Sequence, residues 1–291
     1  MRANLTAMSL FVFVGTGVCS AQTARQAAPV AKQADYAAVY CSGFVTDQKI
    51  PDSTRLISSE QSSHKIIYAR GDLVHINRGV DKGVRVGDRF SVLRQQGDPS
   101  RAPWFKWQEK LSHAMGTVYV DAGQLKVVDV QPKVSVAEVV FSCNYMQRGD
   151  VVIPFQDRPA PVFKDAAVFD IFAPVSGKPV AMVVDTKDYQ QTSGQGSSVY
   201  VNLGTKQGVK VGDYFRIFHY QGSLAEMAPQ TKGYQDMIYG FGSSPSRYTW
   251  KDLPREVLGE GIVLNVSNNS STVFITYSRS EIYPGDYVEI E

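Results

Sequence analysis

Histidine, cysteine and tryptophan are scarce in this chain, at four, three and three residues, and their placement excludes more than it suggests. None of His64, His75, His113 and His219 has an HExxH or CxxC neighbour, so no metal site is readable and no cofactor is expected. GxSxG is absent, and no glycine-rich loop opens a helix. An excess of one charge is also missing: 30 Lys and Arg stand against 28 Asp and Glu, for a net charge of +2. Such a balance does not point to nucleic acid. Long apolar runs are lacking after the amino terminus, so no transmembrane segment is expected in the processed chain. An enzyme whose groups are scattered through the sequence stays open as a third class behind two binding readings.

What the amino terminus does contain is Arg2, an apolar run from Leu5 to Val18, and then Cys19-Ser20-Ala21. These are the three parts of a secretory signal peptide cut after Ala21. Val18 does not match the Gly or Ala that lipid attachment at Cys19 favours, so lipoprotein anchoring is not expected. The processed chain is therefore expected to be exported, to a periplasm or as a secreted protein. Residues 22–35, rich in Ala, Gln, Lys and Pro without apolar period, read as a flexible leader. Cleavage leaves Cys41 and Cys143, an even pair in an oxidising compartment, and a disulfide between them is expected. The other reading is two buried thiols.

The chain also contains one sentence written twice: NRGVDKGVRVGDRFSV from Asn77 and NLGTKQGVKVGDYFRI from Asn202. Without a gap, Asn77, Gly79, Gly83, Val84, Val86, Gly87, Asp88 and Phe90 recur as Asn202, Gly204, Gly208, Val209, Val211, Gly212, Asp213 and Phe215. An alternating strand runs into Asn-x-Gly, read as a tight turn; Gly-Val-x-Val then puts two valines on one side of an extended segment, and Gly-Asp turns into the next strand. Gly83, Gly87, Asp88, Gly208, Gly212 and Asp213 are thus read as structural turn residues rather than chemistry. A later pair of segments, from Gly116 and from Gly261, each ends in Gly-Asp (Gly149-Asp150, Gly285-Asp286). Ser53–His64 and Lys178–Tyr189 sit at the same offset, which predicts an extra strand leading into each unit.

The expected fold is all-β: two tandem SH3-like small barrels with short helical or loop insertions. Residues 36–155 form the first, 156–163 a proline-rich linker, and 164–291 the second. In the first insertion, Trp104, Trp107, Leu111 and Met115 recur at helical spacing after Pro103. This face either plugs its own barrel or, with Lys106 and Lys110 alongside, forms a contact surface. The second insertion, 223–254, carries Tyr239, Phe241 and Trp250 among Gly and Ser, as a binding loop or as a lid.

The N-x-G-x3-G-V-x-V-G-D-x-F sentence with its later GEGIVL…GD hairpin resembles the C-terminal SH3-like domain of flagellar assembly protein T. The tandem arrangement with YCSGFV and WFKWQ resembles a group of exported bacterial proteins carrying that domain. The resemblance covers each repeat core. It implies a small barrel in the bacterial periplasm and carries no flagellar role, because the amino-terminal part does not match that protein's other domains. The function expected is a non-enzymatic cell-envelope module for protein interaction or assembly, with an envelope protein as partner; the alternative is a module that binds peptidoglycan or another glycan.

Overall fold

Alternation of apolar residues makes the strand that opens each repeat: Val74 and Ile76 of β4 (Leu73–Ile76), and Val199 and Val201 of β11 (Ser198–Val201), are buried in separate cores. The computed structural model describes residues 32–60, 64–96, 103–164, 169–220 and 254–291. The segment read as a signal peptide lies outside them, as do Tyr239, Phe241 and Trp250.

After each strand the asparagine does something other than adopt a positive φ. Asn77 Oδ1 accepts the N–H of Arg55 at 2.5 Å, and Asn202 Oδ1 accepts that of Met182 at 2.8 Å. Each side chain so fastens the lead-in strand, β2 (Leu56–Ser59) or β10 (Val180–Thr186), to the repeat. Gly79 and Gly204 are extended, and are glycine because a Cβ would lie 2.3 Å from the carbonyl oxygen of Gln131 or Ser267. Gly83 and Gly208 end short 3-10 turns in the left-handed region. Gly87 and Gly212 both have φ 94° and donate to Val127 O and Val263 O, while Asp88 and Asp213 accept the N–H of Arg85 and Lys210. This tight corner corrects the reading of the paired valines. Val84 and Val209 are buried, but Val86 and Val211 are 66% and 37% exposed, because the chain turns before the second valine can reach the core.

The first sheet adds β1 (Phe44–Thr46), β5 (Arg89–Gln95), β6 (Thr117–Val130), β7 (Ser135–Ser142) and β9 (Val151–Pro154), in the order β2-β4-β7-β6-β5-β9 with β1 paired to β6. A small separate ladder joins β3 (Ile67–Tyr68) to β8 (Met146–Gln147). The second adds β12 (Tyr214–His219), β13 (Glu256–Val266), β14 (Ser271–Ser278) and β15 (Tyr287–Ile290), closing as β10-β11-β14-β13-β12-β15. Under the repeat the two orders are the same. The extra strand expected ahead of each unit is present as β2 or β10 and completes a six-strand order in each copy. The second barrel closes by pairing β10 with β15; the first curls until Leu56 N–H reaches Asp150 O and Val152 N–H reaches Thr54 O, with a single bridge between Arg55 and Val151. The protein is thus an all-β chain of two small barrel-like units, one closed and one a curled half-barrel. Leu56, Val74, Phe90 and Leu125 fill one core, and Val183, Val201, Phe215 and Val273 the other. Lys32–Glu291 forms one compact unit.

Cys41 and Cys143 form a disulfide across 102 residues. It ties the end of α1 (Tyr36–Tyr40) to the residue after β7. Among the described residues, no helix is long and apolar enough to cross a membrane.

Candidate functional site

The seam between the barrels is built by the segment ahead of the first barrel. β1 pairs with β6 along one edge; along the other its carbonyls meet side chains instead of a strand. Gly43 O accepts Thr272 Oγ1 at 3.1 Å, and Val45 O accepts Ser270 Oγ and Ser267 Oγ at 2.8 and 2.7 Å. Hydroxyls two residues apart on an antiparallel strand suit carbonyls two apart on its neighbour, so this edge is satisfied without joining the sheets. Asn268 and Asn269 bond Asp47. Tyr200, fully buried, crosses from β11 to donate its hydroxyl to Ser42 O at 3.2 Å, packing with Val45, Met115, Val118 and Val184. Burial, reinforced by the charge of Asp121, pushes its phenol well above the ordinary value, so it stays a donor.

The segment 156–163, read as a linker, is packed rather than free. Arg158 grips Asp121 with two bonds of 2.8 and 3.0 Å, and Asp121 also accepts Gly43 N–H. Ala34 N–H donates to Pro161 O, and Phe163 N–H to Lys32 O, so the end of the expected leader pairs with the linker. Phe163 stacks on Phe274 while Tyr40 stacks on Phe155, continuing an apolar cluster that includes Ile262 and Leu264.

The aromatic insertion folds into α2 (Gln108–Met115), beginning after the two tryptophans rather than at Pro103. Gln108 explains the start. Its Oε1 accepts Trp104 N–H at 2.7 Å, while its Nε2 donates to Val184 O at 2.9 Å and to Asp185 Oδ1 at 3.2 Å. Ser112 Oγ donates to the other carboxylate oxygen of Asp185 at 2.8 Å. The helix therefore docks on the second barrel, with Met115 beside Tyr200. Neither a plug in its own barrel nor one shared tryptophan surface describes it: Trp104 lines a cleft, whereas Trp107 is 52% exposed with Lys106 above its ring.

That cleft, about 640 Å³, lies between α2, the end of β5, the start of β6 and the end of β10. Trp104 and Tyr189 supply aromatic surface, Gln95, Gln96 and Gln190 carboxamides, and Glu109 and Asp185 carboxylates, with His113 beside them; among the described residues the lining includes no Lys or Arg. Tyr189 and its neighbour Asp188 have φ of 51° and 58°, the only positive values among described non-glycine residues. Such a conformation costs about 1–3 kcal/mol per residue and persists where the surroundings impose it, commonly at ligand sites. Gln96 Oε1 is buried without a hydrogen-bond partner among the described residues. A second cleft of about 590 Å³ shares Gln95, Gly116 and Thr117 and is lined by both charges, Lys49, Arg55, Arg94 and Arg148 with Asp47, Asp52 and Asp150. Two of these arginines are already held, by Asp52 and Asp150. Among the described residues, no group of three or more His, Cys, Asp or Glu could hold a metal.

Sequence reasoning singled out Trp104 but missed Gln96, Gln108, Asp185 and Tyr189. The one available signal was Asp185, a carboxylate at the end of the apolar run AMVV. No family model and no curated protein matches the chain.

Proposed function

We propose that this is a non-enzymatic, exported cell-envelope protein of the bacterial periplasm, whose two barrels, SH3-like in type, serve as a module for protein interaction or assembly. The observation that carries the reading is the seam. Tyr200, the Gly43 and Val45 carbonyls, Arg158 and the disulfide hold two loop-bearing barrels in one arrangement, which is the work of a scaffold that presents surfaces at fixed spacing. Trp107, exposed beside Lys106, is the contact residue assigned to the partner. The resemblance of the repeat to the flagellar assembly domain supplies fold type and compartment to this reading, not a flagellar role.

The test is crosslinking from a photoreactive residue at position 107, followed by recovery from envelope fractions. A reproducible protein partner, recovered less by Trp107→Ala in pull-downs, is expected. Reproducible hydrolysis of an envelope component, with no partner recovered, would overturn the reading.

A further inference from the structure

We propose that the tip of the first barrel, the turn at residues 78–88 packed on the hairpin at 126–133, docks on an anionic phospholipid surface, with Val80 and Val86 entering the headgroup layer and Lys82, Arg85 and Lys133 set against phosphates. This goes beyond the partner-docking reading and does not rest on it. Backbone bonds make the tip one piece: Val80 N–H donates to Gln131 O and Asp81 N–H to Pro132 O at 3.1 Å each, and Gly87 N–H to Val127 O at 2.9 Å. Val80 and Val86 are 60% and 66% exposed, and Val128 is 41% exposed. Lys82, Arg85, Lys126 and Lys133 are exposed as well. With Arg78 these cations stand against Asp81, Asp88 and Asp129, so the tip carries as large a positive excess as the whole chain. Two of the three acids are engaged: Asp88 accepts Arg85 N–H, and Asp129 accepts Gln131 Nε2.

The second barrel shows the same backbone corner at work as a docking surface. Thr205 and Lys206 N–H bond Ser267 O and Asn268 O just as Val80 and Asp81 bond Gln131 O and Pro132 O, so Ser267, Asn268 and Asn269 answer Gln131, Pro132 and Lys133. In the second barrel those three grip Val45 O and Asp47 at the seam. In the first, Gln131, Pro132 and Lys133 are all exposed. The exchanges favour lipid: Thr205 is answered by Val80, Gln207 by Lys82 and Asn269 by Lys133. The shape suits an expanse rather than a groove. Open space surrounds Gly83 and Gly87, the residues that follow Lys82 and Val86, and neither of the two clefts includes a residue of the tip. Short apolar side chains ringed by cations gain from burial among headgroups and from attraction to anionic lipid together. An acidic peptide would satisfy the cations and leave Val80 and Val86 in water.

The experiment is co-sedimentation of the full chain with vesicles of equimolar phosphatidylglycerol and phosphatidylcholine, beside vesicles of phosphatidylcholine alone, at low and at high salt. Binding to the anionic vesicles, little to the neutral ones, and a loss as salt rises are expected. Lys82→Gln with Lys133→Gln should weaken binding by about tenfold or more, and Val80→Ser with Val86→Ser by several-fold, with unfolding curves recorded to confirm that each variant is folded. Lys110→Gln with Lys210→Gln removes the same charge from exposed positions on α2 and in the second barrel, and should bind as wild type does. The proposal is overturned if the chain does not bind anionic vesicles at low salt, if the second lysine pair costs as much as the first, or if the valine pair costs nothing. Polyglutamate is the acidic-peptide probe, and its binding to the tip in preference to anionic vesicles would overturn the lipid assignment too. Partner capture through Trp107 is read separately, so either idea can fail while the other stands.

Discussion

The two barrels share a strand order and a set of turn bonds, and they differ at the positions where each meets something outside itself. Where β4 places His75 outward, β11 places Tyr200 at the repeat-equivalent position. His75 is half-buried and Tyr200 fully buried, because only the second barrel turns that face toward the seam. Where β5 pairs Ser91 with Ile153, β12 pairs Arg216 with Glu289, an ion pair joined by Arg255. Where Arg94 grips the closing Asp150 with two bonds of 2.8 Å, His219 meets the closing Asp286 at 2.9 Å. Backbone requirements were thus held constant through the duplication, and side chains diverged wherever the backbone did not dictate them.

Removing Tyr200 should produce the largest effect and break the comparison at its root. Tyr200→Ala takes a fully buried ring from the seam and should cost about 3–5 kcal/mol, against well under 1 for His75→Ala on a half-exposed face. Denaturant unfolding of both variants checks this. Equal losses would mean that the seam contributes no more than a solvated strand face. Tyr200→Phe should cost about 1–3 kcal/mol by leaving the Ser42 carbonyl without its donor. The disulfide is a second asymmetry, present in the first barrel alone. Closing 102 residues, it should contribute about 2–5 kcal/mol, so Cys41→Ser with Cys143→Ser should lower the unfolding midpoint. A midpoint unchanged from oxidised wild type would show that the seam already holds α1.

How much of this was legible in the sequence follows from the same contrast. The turns were legible because geometry leaves little choice: a φ of 94° at Gly87 and Gly212, or a carbonyl 2.3 Å from where a Cβ would sit at Gly79 and Gly204, restricts the residue to glycine in both copies. The disulfide was legible from the compartment argument and the even cysteine count. The seam was not. Tyr200 in SVYV looks like any outward aromatic on an alternating strand, and only the arriving carbonyl of Ser42 makes it interior. The helix was legible as a helix from Leu111 and Met115, but its partner strand lies some 70 residues later, and nothing local in QEKL marks Gln108 as the residue that reaches it.

The repeated glycines offer a milder test of equivalence. Gly87→Val and Gly212→Val each force a β-branched residue into the left-handed region, at about 1–3 kcal/mol. Open space surrounds Gly87, and Gly212 has only Pro161 Cβ within 4 Å, so strain rather than collision sets the cost, and the two should be alike. Because Lys32–Glu291 is one compact unit, each variant should lower a single shared transition. Two separated transitions in the Gly212→Val variant would show that the barrels unfold independently in spite of the seam.

The smallest effect concerns the closing aspartates under acid. Arg94, whose pKa is raised by its hydrogen bonds to Asp150, keeps its charge throughout, and the second barrel puts His219 in its place. Burial pushes Asp286 above 3.8, and the hydrogen bonds from His219 and from Tyr283 N–H only partly oppose it. A carboxyl raised in the folded state contributes stability that is fully present below 3.8 and is lost as pH rises through the raised value. Glu289 acts oppositely. Burial lifts it, but Arg255, Ser176 N–H and Arg216 outweigh burial and hold it below 4.5, so its contribution is present above 4.5 and fades as pH falls through the lowered value. Asp286→Asn keeps an acceptor for Tyr283 N–H and removes only the first of these slopes. Relative to wild type, the variant should therefore stand best at neutral pH and lose ground steadily below the raised value. His219→Arg, which installs the partner used by the first barrel, should shrink the same slope by offering Asp286 a permanent charge. Melting temperatures measured from pH 7 to 3 decide the matter: parallel curves for wild type, Asp286→Asn and His219→Arg would mean that the exchange of arginine for histidine between the barrels has no consequence for how the second one closes.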